Sequence, residues 1–302
     1  MCRVVLKNTK SFVLDLGQNG DDIEVDRCIY CGCDGSLTSE HTIPFGLWGR
    51  RQIINGSCKV CAQKTSQIEA DVLRGTLGFI REVFNSPSRR KKKKGTRKGT
   101  RLVGKDFLDT EARIEDLCKT VELPLWEYVP RNLTGEPKGD VHDIVKLSVC
   151  LISNISSPKY SGYIHKKFTF NPSSWARFIA KCTYCEYIRC FDANFRSTEL
   201  SRFIVDGVGD PSSFVGGKLD HPKVGRIFNV AAAGFPSEGD QISVMMYFRM
   251  FAFLDTPSYI VHLGKVPSVA FPRDKVNIID GWDGRSFIYP SYRDLPAFDL
   301  KL

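Results

Sequence analysis

Two Cys-x-x-Cys pairs, Cys28/Cys31 and Cys58/Cys61, stand about thirty residues apart and set the tightest constraint on how this chain can fold. Each pair closes a short turn that points both sulfurs at one place. Two such turns supply four thiolates, which satisfy a tetrahedral zinc ion and leave no open position. A site of this kind is structural, fastening a small module that lacks enough core of its own. The chain has eleven cysteines in 302 residues, an odd number and too dilute for a disulfide scaffold. In a chain expected to be cytoplasmic, the paired spacing reads as metal. The expected zinc ligands are Cys28, Cys31, Cys58 and Cys61, with Cys33 as a spare thiol.

The charge is equally local. The net charge is +9, yet residues 86–105, "SPSRRKKKKGTRKGTRLVGK", hold ten Lys or Arg and no acid, so the remainder carries −1. Basicity confined to one segment is how a polyanion-binding device looks. Like charges at this density repel, and the segment is expected to be a flexible linker without a partner. No apolar run is long enough for a membrane span; "SVMMYFRMFAFL" is short and carries Arg249. The N-terminus "MCRVVLKNTK" lacks a secretory apolar core.

Three regions follow. Residues 1–85 comprise β-like runs ("RVVLKN", "SFVLDL", then a turn at "GQNGDD") and the cysteine module. That module ends in one helix from about Ala62 to Asn85, where Ile68, Val72, Leu73, Leu77, Ile80 and Phe84 recur at helical spacing and Pro87 stops the run. The basic linker occupies 86–105. Residues 106–302 read as a second, α+β domain of recognition or regulation. In it "DTEARIEDLCKTV" (109–121) reads as a short helix and Ile144–Ile152 as a buried helix or strand. "SSWARFIAKCTYCEYIRCF" (173–191) reads as a helix with a Ser start, and "QISVMMYFRMFAFL" and "SYIVHLGKV" as strands. The aromatic tail "GWDGRSFIYPSYRDLPAF" reads as an extended strap.

Between the cysteine pairs lies "LTSEHTIPFGLWG", with Glu40-His41 followed by Ile43-Pro44. Together "CIYCG…LTSEHTIPFGLWG…INGSCKVCAQKTSQIEADVLRG" resembles the HNH endonuclease family with a four-cysteine zinc site, in a bacterial branch marked by EH-x-IP and SC-x-x-CA-x-x-TS. The resemblance covers roughly residues 26–90. It implies a ββα-metal fold and hydrolysis of a phosphodiester, expected to be in DNA. His41 matches the family's general base, a role suited to a side chain that titrates near working pH. Glu40 matches the neighbouring acid that binds one divalent cation, magnesium or manganese by ligand hardness. Asn55 matches the middle Asn that orients the histidine.

Many family members place Asn or His just after the last cysteine as a second cation ligand; here Ala62 and Gln63 follow Cys61. Gln63, Ser66 and Glu69 are candidates to replace it. A helix starting near Ala62 puts Glu69 two turns on, on the same face, and a carboxylate is the better hard-cation ligand. Arg74 and Arg81, seven apart on the expected helix, would share a face toward flanking phosphates. Arg89, Arg90, Lys91, Lys92, Lys93 and Lys94 would add phosphate contacts without sequence preference. A homodimer would let two modules cut both strands. Two other readings stay open: a zinc-containing nucleic-acid-binding protein without catalysis, and a sensor whose function lies in residues 106–302.

Overall fold

The computed structural model describes residues 21–83, 86–87, 100–101, 111–112, 120–126, 128–135, 146–151, 171–218, 228–252 and 256–278. The chain enters through a short strand β1 (Ile23–Glu24), then runs strand, strand, helix: β2 (Leu37–His41), β3 (Gln52–Cys58) and α1 (Lys59–Arg74). β3 is the centre of this small sheet, parallel to β1 and antiparallel to β2. Helix α1 buries Cys61, Thr65, Ile68 and Val72, a stripe at helical spacing that faces the sheet and the rest of the core.

The helix expected to run on to Asn85 stops at Arg74. After a turn at Gly75–Leu77 a separate helix α2 (Gly78–Val83) follows. Two glycines within four residues cost helix stability, and Leu77 turns fully inward at the break.

Next come β4 (Thr100–Arg101), β5 (Glu111–Ala112), β6 (Thr120–Leu125), α3 (Arg131–Thr134) and β7 (Lys146–Leu151). β4 pairs with β5 and β6 with β7, both antiparallel. The described ends of segment 109–121 are therefore strand, not the expected helix. Cross-strand pairing overrides its helical periodicity. Thr100–Arg101, inside the expected linker, likewise take part in a ladder.

The second half is built on α4 (Pro172–Cys190), α5 (Thr198–Asp206), α6 (Pro211–Phe214) and a sheet of β8 (Val215–Lys218), β9 (Phe228–Ser237), β10 (Gln241–Met250), β11 (Ser258–Pro267) and β12 (Asn277–Ile278), in the order β12-β9-β10-β11-β8. Strands β10 and β11 occupy the runs that the sequence marks as strands, and they pair antiparallel. Helix α4 starts one turn-residue earlier than expected. Pro172 is its first residue, and the Asn171 side chain accepts a hydrogen bond from the Ser174 N–H at 3.1 Å. The chain is mixed α+β, and among the described residues no helix is long and apolar enough to cross a membrane.

Helix α4 is buried almost all round, from Trp175 to Ile188, as expected of a helix with apolar residues on every face. On one side Tyr184 donates its hydroxyl to the Ile29 carbonyl at 2.8 Å and packs its ring near Tyr30, with centroids 6.0 Å apart. On the other, Trp175 meets the ring of Tyr259 in β11 edge-on at 5.9 Å. One continuous apolar cluster thus joins Ile53 and Ile68 of the cysteine module to Val244 and Tyr259 of the large sheet. The chain on either side of the basic segment shares a core.

Candidate metal centre and the Glu40–His41 strand end

The first cysteine pair sits in a tight turn. Gly32, at φ 73°, donates its N–H to the Cys28 carbonyl at 2.9 Å, and Cys28 donates to the Cys33 carbonyl at 2.8 Å. The second pair straddles a strand-to-helix junction: Cys58 ends β3 and Cys61 lies in the first turn of α1. The Ile29 N–H donates to the Gly56 carbonyl at 2.9 Å and clips the two together.

As a result the sulfurs of Cys28, Cys31, Cys58 and Cys61 all lie within 4.8 Å of one another. Cys31 and Cys58, one from each pair, are 3.7 Å apart. Zn–S bonds of about 2.3 Å in a tetrahedron space their sulfurs about 3.8 Å apart, so donor type, number and spacing fit zinc. No described cysteine is in a disulfide. The Cys33 sulfur is 3.4 Å from that of Cys31, beside the cluster but outside the four. Burial pushes the Cys58 thiol up, but hydrogen bonds from the Cys61 main chain and from the Cys33, Cys61 and Cys31 thiols outweigh it and bring it down to about 6. Burial instead raises Cys61.

Glu40 and His41 are the last two residues of β2, paired with Ile53 and Gln52 of β3. Between Thr38 and Glu40 the register shifts, and Ile54, Asn55 and Gly56 bulge from β3 opposite Ser39. The bulge turns Glu40 inward until it is buried, while His41 stays partly exposed. Gly56 makes room for this. A Cβ there would lie 2.8 Å from the Ile53 carbonyl oxygen and 3.0 Å from the Glu40 Cβ.

Glu69, from the middle of α1, meets Glu40. Both carboxylates converge on one cation, the ammonium of Lys181 in α4: Oε1 of Glu40 at 2.7 Å and Oε1 of Glu69 at 2.8 Å. The same ammonium also donates to the His41 main-chain carbonyl. Lys181 is 1% exposed, so this is an interior ion cluster. Burial alone would lower the lysine pKa, but the charges of Glu40 and Glu69 more than offset that and hold it well above lysine's ordinary range. The position expected for a divalent cation between these acids is therefore held by a side chain of this protein.

The other expected site residues are placed less compactly. Asn55 takes a left-handed φ of 59°, which Asn tolerates better than most residues, and its amide donates to Glu24 of β1 at 2.9 Å. That contact ties the bulge to β1. Gln63 is exposed on α1.

Arg74 is exposed at the end of α1, but Arg81 does not share its face. The Arg81 guanidinium donates to the Gly46 carbonyl at 3.0 Å and to the Leu73 carbonyl at 2.9 Å. It braces the β2–β3 connection against the helix break, which corrects the expected phosphate contact. Arg89, Arg90, Lys91, Lys92, Lys93 and Lys94 lie outside the described residues.

Lys181 is the residue that sequence reasoning missed. A signal was present: a lysine amid Phe178, Ile179 and Cys182 on a helix without a polar face has to find an internal counter-charge. No protein-family model, curated protein or solved structure matches this chain.

Proposed function

We propose that this chain is a zinc-stapled endonuclease of the HNH kind, hydrolysing phosphodiester bonds in DNA. The observation that carries the reading is the convergence of Glu40 and Glu69 on one cation beside His41. The order strand, strand, helix, closed by four cysteines at its base, supports it. In this reading His41, at the partly exposed end of β2, takes a proton from the attacking water. Glu40 and Glu69 would hold a magnesium or manganese ion, whose chemistry would be to offset charge on the scissile phosphate and leaving oxygen. Hard carboxylate oxygens suit such an ion. For those carboxylates to hold it, the Lys181 ammonium would have to withdraw, because both are committed to that group. The basic segment 86–105 supplies phosphate contacts and salt-dependent affinity.

A second reading has an observation of its own. If Lys181 never leaves, the three charges form a structural cross-link between α4 and the cysteine module, and the protein binds nucleic acid without cutting it. Plasmid nicking with magnesium or manganese, compared between the native chain and His41→Ala, separates the two. Cleavage that is lost in the variant supports the hydrolase. Metal-independent binding with no cleavage in either protein supports the second reading.

A further inference from the structure

A cavity of about 750 Å³ lies between α3, the start of α5, α6 and the end of β11, with no residue of the cysteine module in its wall. This is the size range of small-molecule sites. Three independent features of its wall favour an anion.

The first is the N-terminus of α5, a nine-residue helix whose cap Ser197 and first residue Thr198 line the wall. Ser197 caps the Leu200 N–H at 3.4 Å, and the helix start presents the remaining first-turn N–H groups with the positive end of the dipole. Gly264 of β11, at φ 138°, permits the close approach: a Cβ there would lie 3.0 Å from the Ser197 hydroxyl.

The second is Arg131, which is 4% exposed and lines the cavity. One side of its guanidinium is paired with Asp210, but Nη1 is buried with no hydrogen-bond partner. The third is His262, 5% exposed and on the same wall, whose Nε2 is also buried and unpartnered and, on a neutral ring, accepts a hydrogen bond from the P–OH of a phosphate. A buried guanidinium N–H or ring nitrogen left unpaired costs free energy, so each of these on the cavity wall calls for a partner.

The exposed Arg196 and Lys265 add positive charge at the cavity. Glu199, exposed in the first turn of α5, opposes them, while Asp210 is already neutralised by Arg131. The balance is positive. The cavity exceeds what a bare ion fills, so the anion is one end of a larger body.

We infer that this cavity binds a phosphate-bearing small molecule, with the phosphate seated between the α5 N-terminus, Arg131 and His262. This inference does not depend on the hydrolase reading. The test is calorimetric titration of the full-length native chain with inorganic phosphate and with adenosine monophosphate, using sodium chloride as the control for ionic strength.

One molecule of adenosine monophosphate is expected per chain, bound more tightly than phosphate. Lys265→Gln, at an exposed position, should weaken binding several-fold. Arg131→Lys should weaken it by about tenfold or more, as expected for loss of a charge-assisted hydrogen bond. Arg131→Lys also risks the Asp210 pair, so the native chain supplies a second measurement: the His262 ring nitrogen resonance should shift on adding phosphate. No binding of either compound, affinity unchanged in Lys265→Gln, or a His262 resonance that does not move would each overturn the inference.

Discussion

Replacing Lys181 by methionine tests how the cysteine module is joined to the rest of the chain. The change keeps the side-chain length but removes an ammonium that is bonded to Glu40 at 2.7 Å, to Glu69 at 2.8 Å and to the His41 carbonyl. Glu40 is 6% exposed and Lys181 1%, so solvent cannot replace the lost partner. Removing one member of a buried ion pair typically costs about 3–5 kcal/mol, because the other charge stays buried and unpaired. Against a total stability of about 5–15 kcal/mol this is a large fraction. At about 2–4 °C per kcal/mol for a chain of this order of size, the melting temperature should fall by roughly 6–20 °C.

The assay is thermal and urea unfolding followed by circular dichroism, without chelator so that zinc is retained. The folded-state lysine pKa is raised, so its stabilisation is fully present below the unfolded value of about 10.4 and is lost only as pH rises through the higher folded value. The difference between native chain and variant should therefore be constant from about pH 8 to 10. Manganese should restore part of the lost stability in the variant, since two carboxylates are then free to bind it. A variant within about 1 kcal/mol of the native chain would mean that Lys181 does not hold a buried ion cluster together.

Four further outcomes are expected. Purified protein should carry one zinc ion per chain by elemental analysis. The double variant Cys58→Ser, Cys61→Ser should lose the metal and unfold the cysteine module, seen as lost protection of α1 amides in hydrogen exchange. Gly56→Ala should destabilise by about 1–3 kcal/mol in urea unfolding, since its methyl would press on the Ile53 carbonyl and on Glu40. Burial, with the Lys265 charge, lowers the His262 pKa to about 4 against a main-chain bond to Gly264. Here the unfolded chain takes up a proton as pH falls from 6.5 toward 4 while the folded chain does not. Stability should drop by about 3 kcal/mol across that window, and His262→Gln should flatten the drop.

The parts of the fold that were legible in the sequence are those set by local spacing. The two cysteine pairs converge because each is a turn of fixed reach, and Glu69 faces the same lysine as Glu40 because helical phase fixes its face once α1 begins at Lys59. Strands β10 and β11 follow from apolar, β-prone runs bounded by turn residues.

What escaped depends on partners distant in sequence. The ladders at Thr100–Arg101 and Thr120–Leu125 are set by pairing with Glu111–Ala112 and Lys146–Leu151, partners that single-segment spacing does not reveal. The bulge that places Asn55 toward Glu24 needs β1 as a third strand. Arg81 bonds to the Gly46 carbonyl only because the helix breaks at Gly75. Lys181 enters the candidate site from about 140 residues away along the chain. Its need for a counter-charge was readable in the sequence; the identity of that counter-charge was not.

The proposed role of His41 as a base beside the Glu40–Glu69 pair is open to measurement on supercoiled plasmid with magnesium or manganese. The native chain should nick it. His41→Ala, with zinc content and melting temperature unchanged, should lose about a hundredfold or more of that rate, the usual contribution of a general base. Absence of nicking by both the native chain and Lys181→Met with either ion, or equal rates for the native chain and His41→Ala, would contradict the account.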